Sequence, residues 1–99
     1  MKTFNDITFQ PHPFSGGIKG QLKFDNGWIL SVIAGSGFYS TPGKDLKDPK
    51  DFSAFEIAVF TPKGDFGTFD VVEDATDDVI GWVTRDGIND IITKITNQK

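Results

Sequence analysis

The chain predicts an α+β fold: an antiparallel β-meander of four to five strands with one C-terminal amphipathic helix packed on a face. Three observations carry this. Ten Phe, two Trp and one Tyr in 99 residues are many, and aromatics favour strands and fill thin cores. Several stretches alternate apolar and polar side chains with the period of a half-buried strand. The last stretch changes period: Ile88, Ile91, Ile92 and Ile95 fall at i, i+3, i+4 and i+7, one apolar helical stripe.

The elements follow in order. Thr3–Phe9 reads as a first strand ended by Pro11 and Pro13, which cannot donate to a ladder. In the second, Ile18, Leu22 and Phe24 alternate with Lys19, Gln21 and Lys23. Asn26-Gly27 suits a type I′ hairpin turn, where both central residues take positive φ. Trp28–Gly35 is almost wholly apolar and is expected to be central and covered on both faces. Gly35–Ser53 is a long loop, a feature that is often functional or mobile. Within it, Phe38 and Tyr39 either extend the preceding strand or tack the loop down.

Ser53–Thr61 alternates again, with Phe55, Ile57 and Val59 on one face. Pro62–Asp65 is a turn, and Phe66–Val72 is expected to return as the fifth strand with Phe69 and Val71 on one face. Thr84 is the expected N-cap of the closing helix, with Asp86 in its first turn. Four β-branched isoleucines are mediocre helix formers, so that helix depends on packing against the sheet.

Length predicts a single domain over residues 1–99, with roughly two thirds of the unfolded surface buried. There is no cysteine, hence no thiolate ligand or nucleophile and no disulfide framework. No stretch reaches the roughly 20 apolar residues of a membrane span, and the first residues lack the apolar run of a signal peptide. The expectation is an intracellular protein without membrane contact. Charge is uneven: residues 1–50 hold six Lys against four Asp, and residues 51–99 hold three Lys and one Arg against ten acids. The acidic second half disfavours direct nucleic-acid binding, which needs clustered Lys and Arg, and suits a basic partner surface.

No constellation points to catalysis, so the chain is read as a non-enzyme without cofactor. His12, the only histidine, lies between two prolines with no partner network in sequence. The Gly35–Ser40 stretch lacks the third glycine and following helix of a dinucleotide fingerprint. Asp70, Glu73, Asp74, Asp77 and Asp78 are the densest acidic cluster, but without the register of a calcium loop. They read as a solvated turn, with Asp77 as a cap of a short turn, or else as a weak cation-binding site or a docking surface for a basic protein. Trp82 and Trp28 are each a core residue or an interface anchor, core being the expectation for both. The candidate protein-binding surface comprises Glu73, Asp74, Asp77, Asp78 and Trp82 with Phe38, Tyr39, Lys44 and Lys47 of the long loop. No metal site is expected.

Four stretches together, FNDITFQPHP, FDNGWILSVIAGSGFYS, FEIAVF and TDDVIGWVTRDGINDIITKI, resemble small uncharacterised proteins encoded by tailed bacteriophages. These pair an early F.PHP with an F.NGYG.SV hairpin, an E.AV strand and a closing DDV.G.L..EEV. The resemblance spans residues 4–95 and its motifs are structural; Asp86-Gly87-Ile88 replaces the family's EEV. It implies a gene product acting in the cytoplasm of the infected bacterium, and it carries over no functional residues. The leading expectation is a small acidic protein that binds and modulates a bacterial host or defence protein. Two alternatives stand beside it. One is a homo-oligomeric sponge for a signalling nucleotide, using Lys19, Lys23, Lys44, Lys47 and Gly35–Gly37. The other is a minor structural or assembly protein of the virion.

Overall fold

Residues 2–98 are described by the computed structural model. Five antiparallel strands follow one another in chain order as a meander: β1 (Thr8–Pro11), β2 (Ile18–Lys23), β3 (Ile29–Ala34), β4 (Phe55–Phe60) and β5 (Val79–Val83). A one-turn helix, α1 (Thr68–Val71), lies between β4 and β5, and α2 (Arg85–Thr96) follows β5. The expected α+β meander with a C-terminal helix on one face is the fold.

The alternation of β2, β3 and β4 turns one set of side chains to the core: Ile18 and Leu22, then Leu30, Val32 and Ala34, then Phe55, Ile57 and Val59. Helix α2 lays Ile88, Ile91, Ile92 and Ile95 on that inner face, and all four are buried. The Thr84 hydroxyl accepts from the Gly87 amide at 3.2 Å, the expected N-cap. At the other end, Asn26 Nδ2 donates to the carbonyls of Ile95 and Gln98 at 2.8 and 3.0 Å. The β2–β3 hairpin therefore satisfies carbonyls that the last helical turn leaves open. That hairpin is not type I′. Gly27 has φ +89° and Asn26 does not share a positive φ, while the Gly27 amide donates to the Phe24 carbonyl. A type I turn followed by a left-handed glycine fits, and it leaves the Asn26 side chain free to reach the helix.

Three further expectations are corrected. The first strand begins only at Thr8 and takes in Pro11, which pairs with Ile18 at the sheet's edge. Residues Phe4–Asp6 form a 3-10 turn instead, held by the Thr3 amide on Asp6 Oδ2 at 2.7 Å and by the Phe4 amide on Asn89 Oδ1 at 2.8 Å. β3 is central, but only its inner face is covered: Ile29, Ser31 and Ile33 are half-buried. The fifth strand is Val79–Val83, not Phe66–Val72.

In the latter segment only Phe66 pairs, in a single bridge to Phe60. Thr68 then turns the chain into α1. Its hydroxyl accepts from the Val59 amide at 3.2 Å and donates to the Asp78 carbonyl at 2.6 Å, fully buried. Thr68, Val71 and Val72 fall at i, i+3 and i+4 and face inward. Phe69, placed by a strand reading beside Val71, instead points to solvent.

Candidate functional site

The outer face of the sheet carries no helix. The strand register sets its side chains in three rows. One runs Gln10, Lys19, Ile33, Glu56; the next runs Thr8, Gln21, Ser31, Ala58, Val79; the third runs Lys23, Ile29, Phe60. Lysines thus stand on β2, and apolar side chains run over β3, β4 and β5.

At one corner the face rises into an aromatic pair. Between Ile80 and Val83, β5 has two residues, Gly81 and Trp82, where β4 has only Glu56 between Ile57 and Phe55. The extra residue makes a β-bulge, which re-aims a side chain. Trp82 sits in the bulge with φ +53°, the only positive-φ residue other than glycine among those described. That backbone costs a non-glycine residue about 1–2 kcal/mol. The bulge sends the Trp82 amide to the Tyr39 carbonyl at 2.8 Å, while the Tyr39 amide donates to Glu56 Oε1 at 3.2 Å. The Tyr39 and Trp82 rings pack with centroids 4.9 Å apart. They remain 55% and 60% exposed. Gly81 makes the approach feasible, since a Cβ there would lie 2.5 Å from Tyr39 Cβ.

The two tryptophans separate. Trp28 is buried as expected, whereas Trp82 is surface, against the core expectation. With Ile80 packed on the core, strand alternation would turn Trp82 inward as well; the bulge reverses it, and no local pattern in the sequence signals that bulge. Nor did the sequence indicate that Tyr39, over forty positions away, would be its partner.

At the opposite corner the outer face sinks into a wide hollow of about 500 Å³, lined by Thr8, Gln10, Pro11, Pro13, Lys19, Gly20 and Gln21. Of the lysines considered for a nucleotide sponge, only Lys19 lines it.

The remaining candidates disperse. Glu73, Asp74, Asp77 and Asp78 precede β5, whereas Trp82 stands near its end, so the acidic turn and the aromatic pair are separated by roughly 10–13 Å of strand. Glu73, Asp74 and Asp77 are exposed and Asp78 is half-buried. Asp77 Oδ1 accepts from the Asp78 amide at 2.7 Å, a local cap that leads into a strand and not into the short turn expected. No group of three or more potential metal ligands gathers among the described residues. Lys44 and Lys47 are exposed on the long loop, which Asp45 ties back through the Ser36 amide at 2.8 Å. Phe38 packs on the His12 ring at 4.9 Å, and His12 Nδ1 accepts from the Phe14 amide at 3.2 Å, so the histidine serves its own loop. Arg85 donates to the Pro49 carbonyl at 2.6 Å and lies over the Phe4 and Phe55 rings at 5.0 and 5.4 Å, a structural clamp.

No protein-family model, curated protein or solved structure matches the chain. Among the described residues no helix is long and apolar enough to cross a membrane.

Proposed function

We propose that this is a non-catalytic, phage-encoded binding protein that docks on a bacterial host or defence protein and acts by occupying its surface. The observation that carries this reading is the Tyr39–Trp82 pair. A chain does not normally hold a tryptophan outward in a left-handed bulge, packed against a second exposed aromatic and fixed by two hydrogen bonds, for the sake of its own core. Strain kept at a surface site and exposed Trp and Tyr are both marks of binding surfaces. The acidic turn at Glu73, Asp74, Asp77 and Asp78 supplies charge at the other end of β5, which favours a partner with a basic rim.

The test is capture from infected host lysate with three baits: wild type, Trp82→Asn, and a triple charge reversal of Asp74, Asp77 and Asp78 to Lys. A stoichiometric host protein retained by wild type, lost with Trp82→Asn and reduced with the triple reversal, while all three baits melt within a few degrees, supports the reading. A partner held equally by all three would show that the contact lies elsewhere. A co-purifying nucleotide without protein would favour a sponge, and presence in purified particles a virion role.

A further inference from the structure

We infer that the open face of the sheet is self-complementary and pairs with a second copy of this chain, face to face, about a twofold axis that runs parallel to the strands over β3. This goes beyond the host-protein reading and does not depend on it.

The strand register makes the face complementary to itself. A twofold axis along β3 keeps each row at its own height and exchanges left for right. It therefore sets β2 of one copy over β4 of the other, and β1 over β5. In the first row, Lys19 then faces Glu56 of the second copy, and by symmetry the same pair forms twice. In the third row, Lys23 faces the ring of Phe60, the arrangement of a cation over an aromatic face. On the axis itself Ile29, Ser31 and Ile33 meet their own images. The relief fits as well: the raised Tyr39–Trp82 pair of one copy lies over the hollow lined by Thr8, Gln10, Pro11 and Lys19 of the other. Turning the axis perpendicular to the strands would instead set β2 over β2 and bring the lysines together, a repulsive arrangement, so the charge pattern selects one axis.

The sheet's edges offer no competing route. β1 is four residues long and includes Pro11, and β5 is bulged at Trp82, two devices that discourage edge pairing. Packed sheets lie about 10 Å apart with strands within about 30° of alignment, which is compatible with this axis. Five strands present a face about 24 Å wide and about 17 Å long. That is smaller than the ~800 Å² per partner typical of stable complexes, so the pairing is expected to be reversible and in the micromolar range.

The test uses purified protein alone, without any host component, so its failure and that of the host-protein reading are separable. Sedimentation equilibrium from about 1 to 500 µM should show wild type passing from monomer to dimer. Lys19→Glu, which sets carboxylate against Glu56, should weaken association at least tenfold. Trp82→Asn should do the same while keeping the left-handed backbone that Asn tolerates. Because the chain has no cysteine, a single Ser31→Cys on the axis should be joined into covalent dimers by a bis-maleimide of about 10 Å span. Lys94→Cys, on the exposed side of α2 across the sheet, should not. A wild type that stays monomeric throughout overturns the inference, as does association that Lys19→Glu leaves unchanged or a cross-link that forms at Lys94→Cys in preference to Ser31→Cys.

Discussion

The two faces of the one sheet are built on opposite principles. The inner face is covered by α2 and filled by aliphatic and aromatic side chains; the polar groups buried there include the hydrogen-bonded hydroxyl of Thr68 and the indole N–H of Trp28, which has no hydrogen-bond partner among the described residues. The outer face has lysines on one side, aromatics on the other and a line of half-buried aliphatics between them. The same strands make both, because successive residues point to opposite sides. The inner face therefore answers to packing, and the outer face is free to answer to something outside the monomer. The two tryptophans repeat the contrast on a smaller scale: Trp28 fills the core, and Trp82 is held out of it.

Substitutions on the two faces should break differently. The largest loss is expected from Ile92→Ala, since Ile92 is fully buried under the sheet; about 2–5 kcal/mol should disappear from the unfolding free energy measured in denaturant. Asn26→Ala comes next. It removes the donor to the Ile95 and Gln98 carbonyls and the acceptor of the Trp28 amide, and about 1–3 kcal/mol of stability should go with it, together with faster amide exchange in the last turn of α2. Gly81→Ala forces a Cβ into Tyr39; a cost of about 1–3 kcal/mol is expected from such overpacking, with loss of the near-ultraviolet circular dichroism that the coupled Tyr39 and Trp82 rings produce. Trp82→Asn should change stability least, within about 1 kcal/mol, because relief of the left-handed backbone offsets the lost ring contact. If Trp82→Asn instead destabilised as much as Ile92→Ala, the contrast between the faces would be wrong, and Trp82 would count as core.

Local periodicity and tertiary contact divide the molecule in the same way. The strands β2 and β4 and the helix α2 were legible because each carries its period locally, and so was the Thr84 cap. The aromatic pair was half legible. Both residues were placed in the candidate binding surface, although core was the expectation for Trp82, and their contact depends on a bulge and on a loop returning across the sheet. The acidic cluster was visible as composition, yet nothing in composition says that it lies at the far end of β5 from Trp82.

The identity of the fifth strand shows where local information stops. Both Phe66–Val72 and Val79–Val83 carry enough β-branched and aromatic residues to serve. The sequence alone determined that the chain is a meander of alternating strands closed by an isoleucine-striped helix, since period 2 and period 3.6 are properties of neighbouring residues. Only the tertiary structure decided which segment completes the sheet. The choice rests on the Thr68 hydroxyl bridging the Val59 amide and the Asp78 carbonyl, which turns the first candidate into a one-turn helix and leaves the place beside β4 to the second. A helix of four residues has no stability of its own; it exists because those two distant backbone groups are there to meet it.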